Sequence, residues 1–215
     1  REAYHLGTMR GSKTISKKKK TSIPEAKTKV HKSYKAVKPL VEKYRQAGHR
    51  IVLAQGTWDM VHVGHARYLD SAKKYGDVLI VGVDEDKKVR YRKGPDRPVV
   101  PEDERLEMLT HLRCVDLVVL KKLSDPKWAL IKTIRPDILI TIEENYDDEQ
   151  RMALREYCKQ VVVMPRQATT STSAKIRLLQ INIAEKIGKA LTPKVMSAID
   201  EVFRELKGES TKKRK

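Results

Sequence analysis

Apolar residues cluster in five short runs along the chain: "IVLAQ" (51–55), "DVLIVGV" (77–83), "CVDLVVL" (114–120), "DILITI" (137–142) and "QVVVM" (160–164). They are rich in Val and Ile and mostly do not alternate with polar residues, as expected of strands buried on both faces. Between them the apolar positions recur at helical spacing. "HARYLDSAKKYG" sets Tyr68, Ala72 and Tyr75 on one face and stops at Gly76. "PEDERLEMLTHLR" opens with Pro101 and three acidic residues, and "DPKWALIKTI" offers Asp125 as N-cap with Pro126 at the first helical position. "DDEQRMALREYC" follows the fourth run. Ahead of the first, "KPLVEKYRQAGHR" predicts a short helix with Pro39 in its first turn and Gly48 as its stop. Five strand–helix alternations predict an α/β fold, a doubly wound five-stranded parallel sheet covered on both faces.

Two more helical stretches close the chain. "SAKIRLLQINIAEKIG" places Ile176, Leu179, Ile183 and Ile187 along one stripe. "LTPKVMSAIDEVFRELKG" predicts a separate C-terminal helix, with Thr192 as N-cap, Pro193 at the first helical position, and Val195, Ile199, Val202 and Leu206 as its apolar face. That face is expected to pack on the domain or on a partner subunit. The organisation predicted is a basic tail over 1–35, a domain over 36–190, the additional helix over 191–207 and a second basic tail over 208–215.

Charge changes this picture only at the ends. The formal net charge is +18 over the whole chain. Residues 1–50 contribute +12 and residues 207–215 contribute +4, so the body between them carries +2. The segment "GSKTISKKKKTSIPEAKTKVHKS" (11–33) has few apolar residues, no period and many like charges. Such a stretch buries too little surface to offset its ordering entropy, and disorder is expected. It reads either as a solvated tail or as a contact for RNA, DNA or another polyanion. Residues 1–8 are a candidate expression remnant ahead of Met9 and carry no functional argument. No run approaches the roughly 18 apolar residues of a membrane helix, and no secretory pattern stands at the start. Cys114 and Cys158 form no CxxC pattern, which predicts buried thiols of a cytoplasmic protein.

In an open parallel sheet, ligands bind at the carboxyl ends of the strands. After the first run come Gly56, Thr57, Trp58 and Asp59, then His62-Val63-Gly64-His65 opening a helix. A glycine and a helix start suit a phosphate. The two histidines read either as two imidazole donors aimed at one point or as one structural and one exposed side chain. After the second run comes Asp84, then "DKKVRYRKGPDRP" (86–98), read as a surface loop whose Lys87, Lys88, Arg90, Arg92 and Lys93 can close over a polyphosphate. After the fifth comes "PRQATTSTSAKI" (165–176), where Arg166 precedes the helix start Ser171-Thr172-Ser173. Neither GxxxxGK[ST] nor GxGxxG occurs. A donor-rich pocket without a nucleophile suits a reaction in which the substrate's own phosphate attacks and the protein stabilises charge.

Taken together, these loops resemble the HxGH nucleotidyltransferases, a Rossmann-like family, over about residues 38–185. "GTWDMVHVGHARYLDSAKKYGDVLIVGVDED" is similar to the family's GxFD-x-x-H-x-GH signature with its following helix and strand. "RPVVPEDERLEML" resembles the segment carrying a phosphate-contacting arginine, here Arg105, and "PRQATTSTSAKI" resembles the R-x-x-G-[I/C]-S-T-[S/T] helix start. The resemblance implies nucleotidyl transfer from an NTP to a phosphorylated acceptor with release of pyrophosphate, Mg²⁺ being held mainly by the triphosphate. It implies that His62 and His65 stabilise the transition state and that Lys93 and Arg105 hold phosphates. Arg166, Ser171, Thr172 and Ser173 would bind the nucleotide over the loop Gly56-Thr57-Trp58, with Asp84 at the same edge. "RYRKGPDRPVVPEDERLEML" is most similar to the adenylyltransferase domain of bifunctional heptose-phosphate enzymes, which puts ATP and a sugar phosphate slightly ahead. A CTP-dependent enzyme for glycerol-3-phosphate or an amino-alcohol phosphate, an FMN adenylyltransferase, and an inactive polyanion-binding domain are the alternatives. Trp58 replaces the family's Phe, Thr169 replaces a Gly, and "TIEENYDD" (141–148) replaces a Lys-Gly-Gly-Asp-Tyr type loop. A homodimer is a family expectation.

Overall fold

The computed structural model describes residues 29–165, 167 and 172–207. Strands β1 (Val30–His31), β2 (Ile51–Gly56), β3 (Val78–Asp84), β4 (Leu117–Lys121), β5 (Ile138–Thr141) and β6 (Gln160–Val163) form one sheet. Their order is β1-β4-β3-β2-β5-β6, and every pairing is parallel. The chain thus builds outwards one way from β2 through β3 and β4, then returns to build the other way through β5 and β6. The reversal leaves a crevice between β2 and β5, where such sheets bind ligands.

Alternate side chains serve opposite faces. Val52 and Ala54 of β2 join Leu79 and Val81 of β3 under helices α2 (Val63–Lys73) and α4 (Glu102–Thr110). Ile51 and Leu53, with Ile80 and Leu117, face α1 (Tyr34–Gln46), α5 (Ala129–Ile134) and α6 (Asp148–Leu154). Those eight strand residues are fully buried or nearly so, which is why the runs carry no polar alternation. The doubly wound α/β reading holds, with one more strand than the pattern predicts.

That strand lies inside the segment expected to be disordered. β1 pairs with β4, Val118 N donating to Lys29 O at 2.9 Å. Lys29 is buried, and its ammonium donates to Thr110 O at 3.1 Å and Val115 O at 3.0 Å. Two residues are too short for a periodic signal, and a lysine anchored on carbonyls reads as tail charge. Lys29→Ala is expected to lower stability by about 1–3 kcal/mol, the cost of leaving buried acceptors unmet; a urea midpoint equal to wild type would return this segment to the tail.

Helix bounds also move for local reasons. α1 begins earlier than predicted because Ser33 caps it, accepting from Lys35 N at 3.2 Å, and Pro39 lies inside. Gly48 does end that region, with φ +77°. Asp125 does not cap α5: its carboxylate accepts from Tyr34 Oη and Lys122 N, both at 2.6 Å. The basic segment expected as a loop forms α3 (Asp86–Lys93), anchored by buried Val89 and ended by Gly94 at φ +96°. Its polarity hid it from periodicity. The last two predicted helices are one: α7 runs unbroken over Thr172–Leu206 with Pro193 inside it. An interior proline costs about 3 kcal/mol, so Thr192 as a cap was the reasonable expectation. Among the described residues, every one from Arg177 to Lys207 is exposed, so the apolar face of α7 does not pack on the domain.

Candidate functional site

The histidines stand where β2 turns into α2. His62 is the N-cap of α2, its Nδ1 accepting from Gly64 N at 3.0 Å. A ring nitrogen that accepts is unprotonated, so this bond assigns the neutral proton to Nε2. His65, one turn along, stacks on it with ring centroids 4.1 Å apart. Trp58 meets His65 edge-on at 5.5 Å. Both imidazoles are half-buried at the start of a helix whose dipole favours negative charge. The α2 cap, the ring stacking and the Trp58 edge hold the two rings together, and neither is fully exposed.

The loop beneath them is fastened strongly enough to hold strained backbone. Trp58 (φ +57°) and Met60 (φ +48°) both adopt left-handed conformations. Trp58 is buried and its indole donates to Gly82 O at 3.0 Å. A Cβ on Gly56 would meet that indole at 3.0 Å, so Gly56 is a glycine for the sake of Trp58. Asp59, also buried, receives Arg97 Nε at 2.9 Å, Val99 N at 3.1 Å and Val100 N at 3.0 Å. In the sequence Asp59 stands in the loop after the first run with no role attached to it. It ties residues 97–100, which follow the basic helix α3, to the histidine loop.

Arg105 lies inside the protein. Its side chain is 1% exposed. Nε donates to Val100 O at 2.9 Å, Nη1 to Thr57 O, and Nη2 to Asp84 O at 2.9 Å and Asp86 Oδ1 at 2.6 Å. Four of its five N–H groups are engaged by the protein itself, against the expectation that its fork holds a phosphate. It clamps together the loops after β2 and β3 and the start of α4.

Asp84 is likewise internal. Its carboxylate, 1% exposed, receives Arg92 Nη1 at 2.7 Å and pairs with Lys121 Nζ at 3.0 Å. Burial alone would raise its pKa, but Lys121 and then Arg92 and Lys88 outweigh burial and hold it below the usual carboxylate range. Asp84 therefore gathers Arg92 and Lys121 at the end of β3. Lys93 stays exposed at the end of α3. Desolvation, with the adjacent Arg97 and Arg92, lowers its pKa, while Asp84 and Asp59 pull it back.

On the other side of the crevice, Gln55 Nε2 donates to Tyr146 Oη at 3.4 Å, joining the end of β2 to the loop after β5. Burial, with a smaller contribution from Asp84, raises the Tyr146 phenol to about 12. Gln55, Lys121 and Tyr146 were missed by sequence reading, although each lies at or just beyond a strand's carboxyl end. Arg166 and Ser171, and the side chains of Thr172 and Ser173, lie outside the described residues. Among the described residues no three His, Cys, Asp or Glu come together to hold a metal ion, and no helix is long and apolar enough to cross a membrane.

The chain is similar in sequence to several known proteins. The bifunctional protein HldE of Sulfurimonas denitrificans is 38% identical over 138 residues, 60% of this chain and 28% of its own. That of Geobacter metallireducens is 42% identical over 101 residues, 47% of this chain and 20% of its own. The chain thus spans less than a third of the length of these relatives. A lipopolysaccharide core biosynthesis protein from Thermoplasma volcanium, of known structure, is 29% identical with a TM-score of 0.47, covering 58% of this chain and all of that one. The cytidylyltransferase-like family model matches residues 53–205, taking in the histidine loop, the α3 segment and most of α7. The chain belongs to the cytidylyltransferase-like family.

Proposed function

We propose that this protein transfers a nucleotidyl group from an NTP to a phosphorylated small molecule and releases pyrophosphate. The observation that carries the reading is the stacked His62–His65 pair at the start of α2, beside the β2–β5 crevice. A phosphate monoester is largely dianionic at neutral pH and needs no general base to act as nucleophile. Its oxygen forms the new bond to the α-phosphorus, and the bond from that phosphorus to the bridging oxygen breaks towards pyrophosphate. Charge grows on the α-phosphoryl oxygens and on the leaving group, where fixed donors act without reorganising. His62 and His65 serve the first, and Lys93, on a helix steadied by the Arg92–Asp84 pair, serves the triphosphate. Arg166, Ser171, Thr172 and Ser173 complete the nucleotide site in this proposal.

Mg²⁺ fits as a passenger of the nucleotide. The buried carboxylates Asp59 and Asp84 are committed to Arg97, Arg92 and Lys121, so the phosphates themselves would supply most ligands. Bound there, the metal would neutralise part of the triphosphate charge.

ATP with a sugar phosphate is the pair put first. The support is the Arg90–Leu109 segment and its likeness to heptose-phosphate adenylyltransferases. Pyrophosphate release should be measured with ATP and CTP against sugar phosphates, glycerol-3-phosphate, amino-alcohol phosphates and FMN. Release only with ATP and a sugar phosphate is expected. Release with CTP and an amino-alcohol phosphate would transfer the proposal to the cytidylyl alternative. No release from any pair with Mg²⁺ would sink the enzyme reading and leave the polyanion-binding one.

A further inference from the structure

The histidine loop lies at the carboxyl ends of the strands, and a second cavity, of about 920 Å³, opens at their amino ends. Its walls are the residues just before β2, β5 and β6, with Arg45 of α1 and the end of α6. Arg45, His49, Arg50, Arg135, Arg155 and Lys159 line it, against the two carboxylates Asp137 and Glu156. β2 separates it from the histidine loop by roughly 20 Å, six residues at about 3.3 Å each. Three helices, α1, α5 and α6, end at this edge, and cations at helix C-termini are ordinary. That accounts for Arg45, whose Nη2 donates to Ile134 O and Arg135 O, both at 2.9 Å. It accounts too for part of Arg135, whose Nη2 donates to Glu156 O at 3.1 Å. It does not account for Arg50 and Lys159, which stand before β2 and β6.

Lys159 pairs with Asp137 at 2.7 Å. Burial raises the Asp137 carboxyl, but Lys159 and the Ile51 amide outweigh it and hold it below the usual carboxylate range. That pair cancels, and the arginines remain in excess. Among the described residues no hydrogen bond or ion pair engages the Arg50 or Arg155 side chain. Arg135 also adopts φ +48°, a helix-end conformation usually left to glycine or asparagine, so an arginine is kept there against a backbone cost. Like charges gathered around one cavity repel each other until a dense anion relieves them. We propose that this cavity is a second, non-catalytic site for a polyphosphate anion, its adjacent phosphates received by Arg50, Arg135 and Arg155. Guanidinium forks match phosphate oxygens two at a time, and the volume falls in the range of small-ligand sites. Cations converging from four separate segments suit a compact anion rather than an extended acidic peptide.

Hydrogen–deuterium exchange of the full chain with tripolyphosphate, without Mg²⁺, locates the site. Exchange should slow at residues 48–51 and 155–160, apart from any slowing at the histidine loop or the basic ends. Slowing only at residues 62–65 and 86–93, or only within residues 1–28, overturns the proposal. The double variant Arg50→Gln, Arg155→Gln should weaken the binding that protects 48–51 and 155–160 on the order of 100-fold, about tenfold for each charge-assisted contact. Both side chains are exposed, so the urea midpoint should not move. Replacing Lys17, Lys18, Lys19 and Lys20 by Gln should leave that protection in place, which separates the cavity from the basic tail. Undiminished affinity in the arginine variant refutes the site. Equal protection by ATP makes a nucleotide the carrier of the phosphates, and protection by tripolyphosphate alone makes it an inorganic chain; both uphold the site. Protection by a single-stranded oligonucleotide or a polyglutamate peptide, where tripolyphosphate gives none, overturns it.

Discussion

His65→Ala is expected to lower kcat on the order of 10²–10³-fold, the usual cost of removing one preorganised donor to developing charge. The donor acts mainly in the transition state, so kcat and kcat/KM should fall together with little change in KM. Folding should survive, because His65 is half-buried and its main contacts are the Trp58 edge and the His62 face. Losing ring contacts of this kind costs about 0.5–1.5 kcal/mol. His62 needs a different substitution, since it also caps α2 through Nδ1. His62→Asn keeps an N-capping acceptor while removing the imidazole, so it should lose rate with α2 intact. The measurement is steady-state pyrophosphate release on the best NTP–acceptor pair, alongside a urea unfolding curve. Wild-type turnover in His65→Ala would remove that residue from the mechanism. A rate loss matched by a collapse of the unfolding midpoint would make its role structural.

The sheet and the position of the histidines were legible because they depend on short-range signals. Continuous Val/Ile runs mark strands buried twice over, and a glycine loop between strand and helix marks the ligand edge. What escaped depends on contacts distant in sequence. Lys29 reads as one more charge in a basic tail until Thr110 O and Val115 O are brought to it. Asp125 has the spacing of a helix cap, but Tyr34, 91 residues away, draws it elsewhere. Asp59 sits openly in the motif, yet its purpose appears only when residues 97–100 fold back over it. α3 carries one buried apolar residue, too little for a periodic signal. A pattern read from residue types also cannot tell a cation facing ligand from one facing protein, and Arg105 is the clearest case.

Arg105→Met is therefore expected to act first on stability. The side chain is 1% exposed, and four acceptors from three separate segments converge on it. Methionine fills much of the volume but leaves Thr57 O, Asp84 O and Val100 O without this donor and strips Asp86 of its cation. Breaking one side of a buried charged pair typically costs about 3–5 kcal/mol, a large share of the 5–15 kcal/mol that holds a domain of this kind together. Arg105→Lys should recover only part of this, since an ammonium lacks the planar fork that reaches several carbonyls at once. A phosphate-binding arginine predicts the opposite pattern: an unchanged urea midpoint, with NTP affinity lost in both variants. The two accounts separate in one experiment, chemical denaturation beside KM for the nucleotide. A midpoint for Arg105→Met within error of wild type would restore Arg105 to the ligand. A drop of several kcal/mol, with partial rescue by lysine, fixes it as the clamp that holds the loops of the site in register. The phosphate contacts then fall to Lys93 and to the residues at the start of α7.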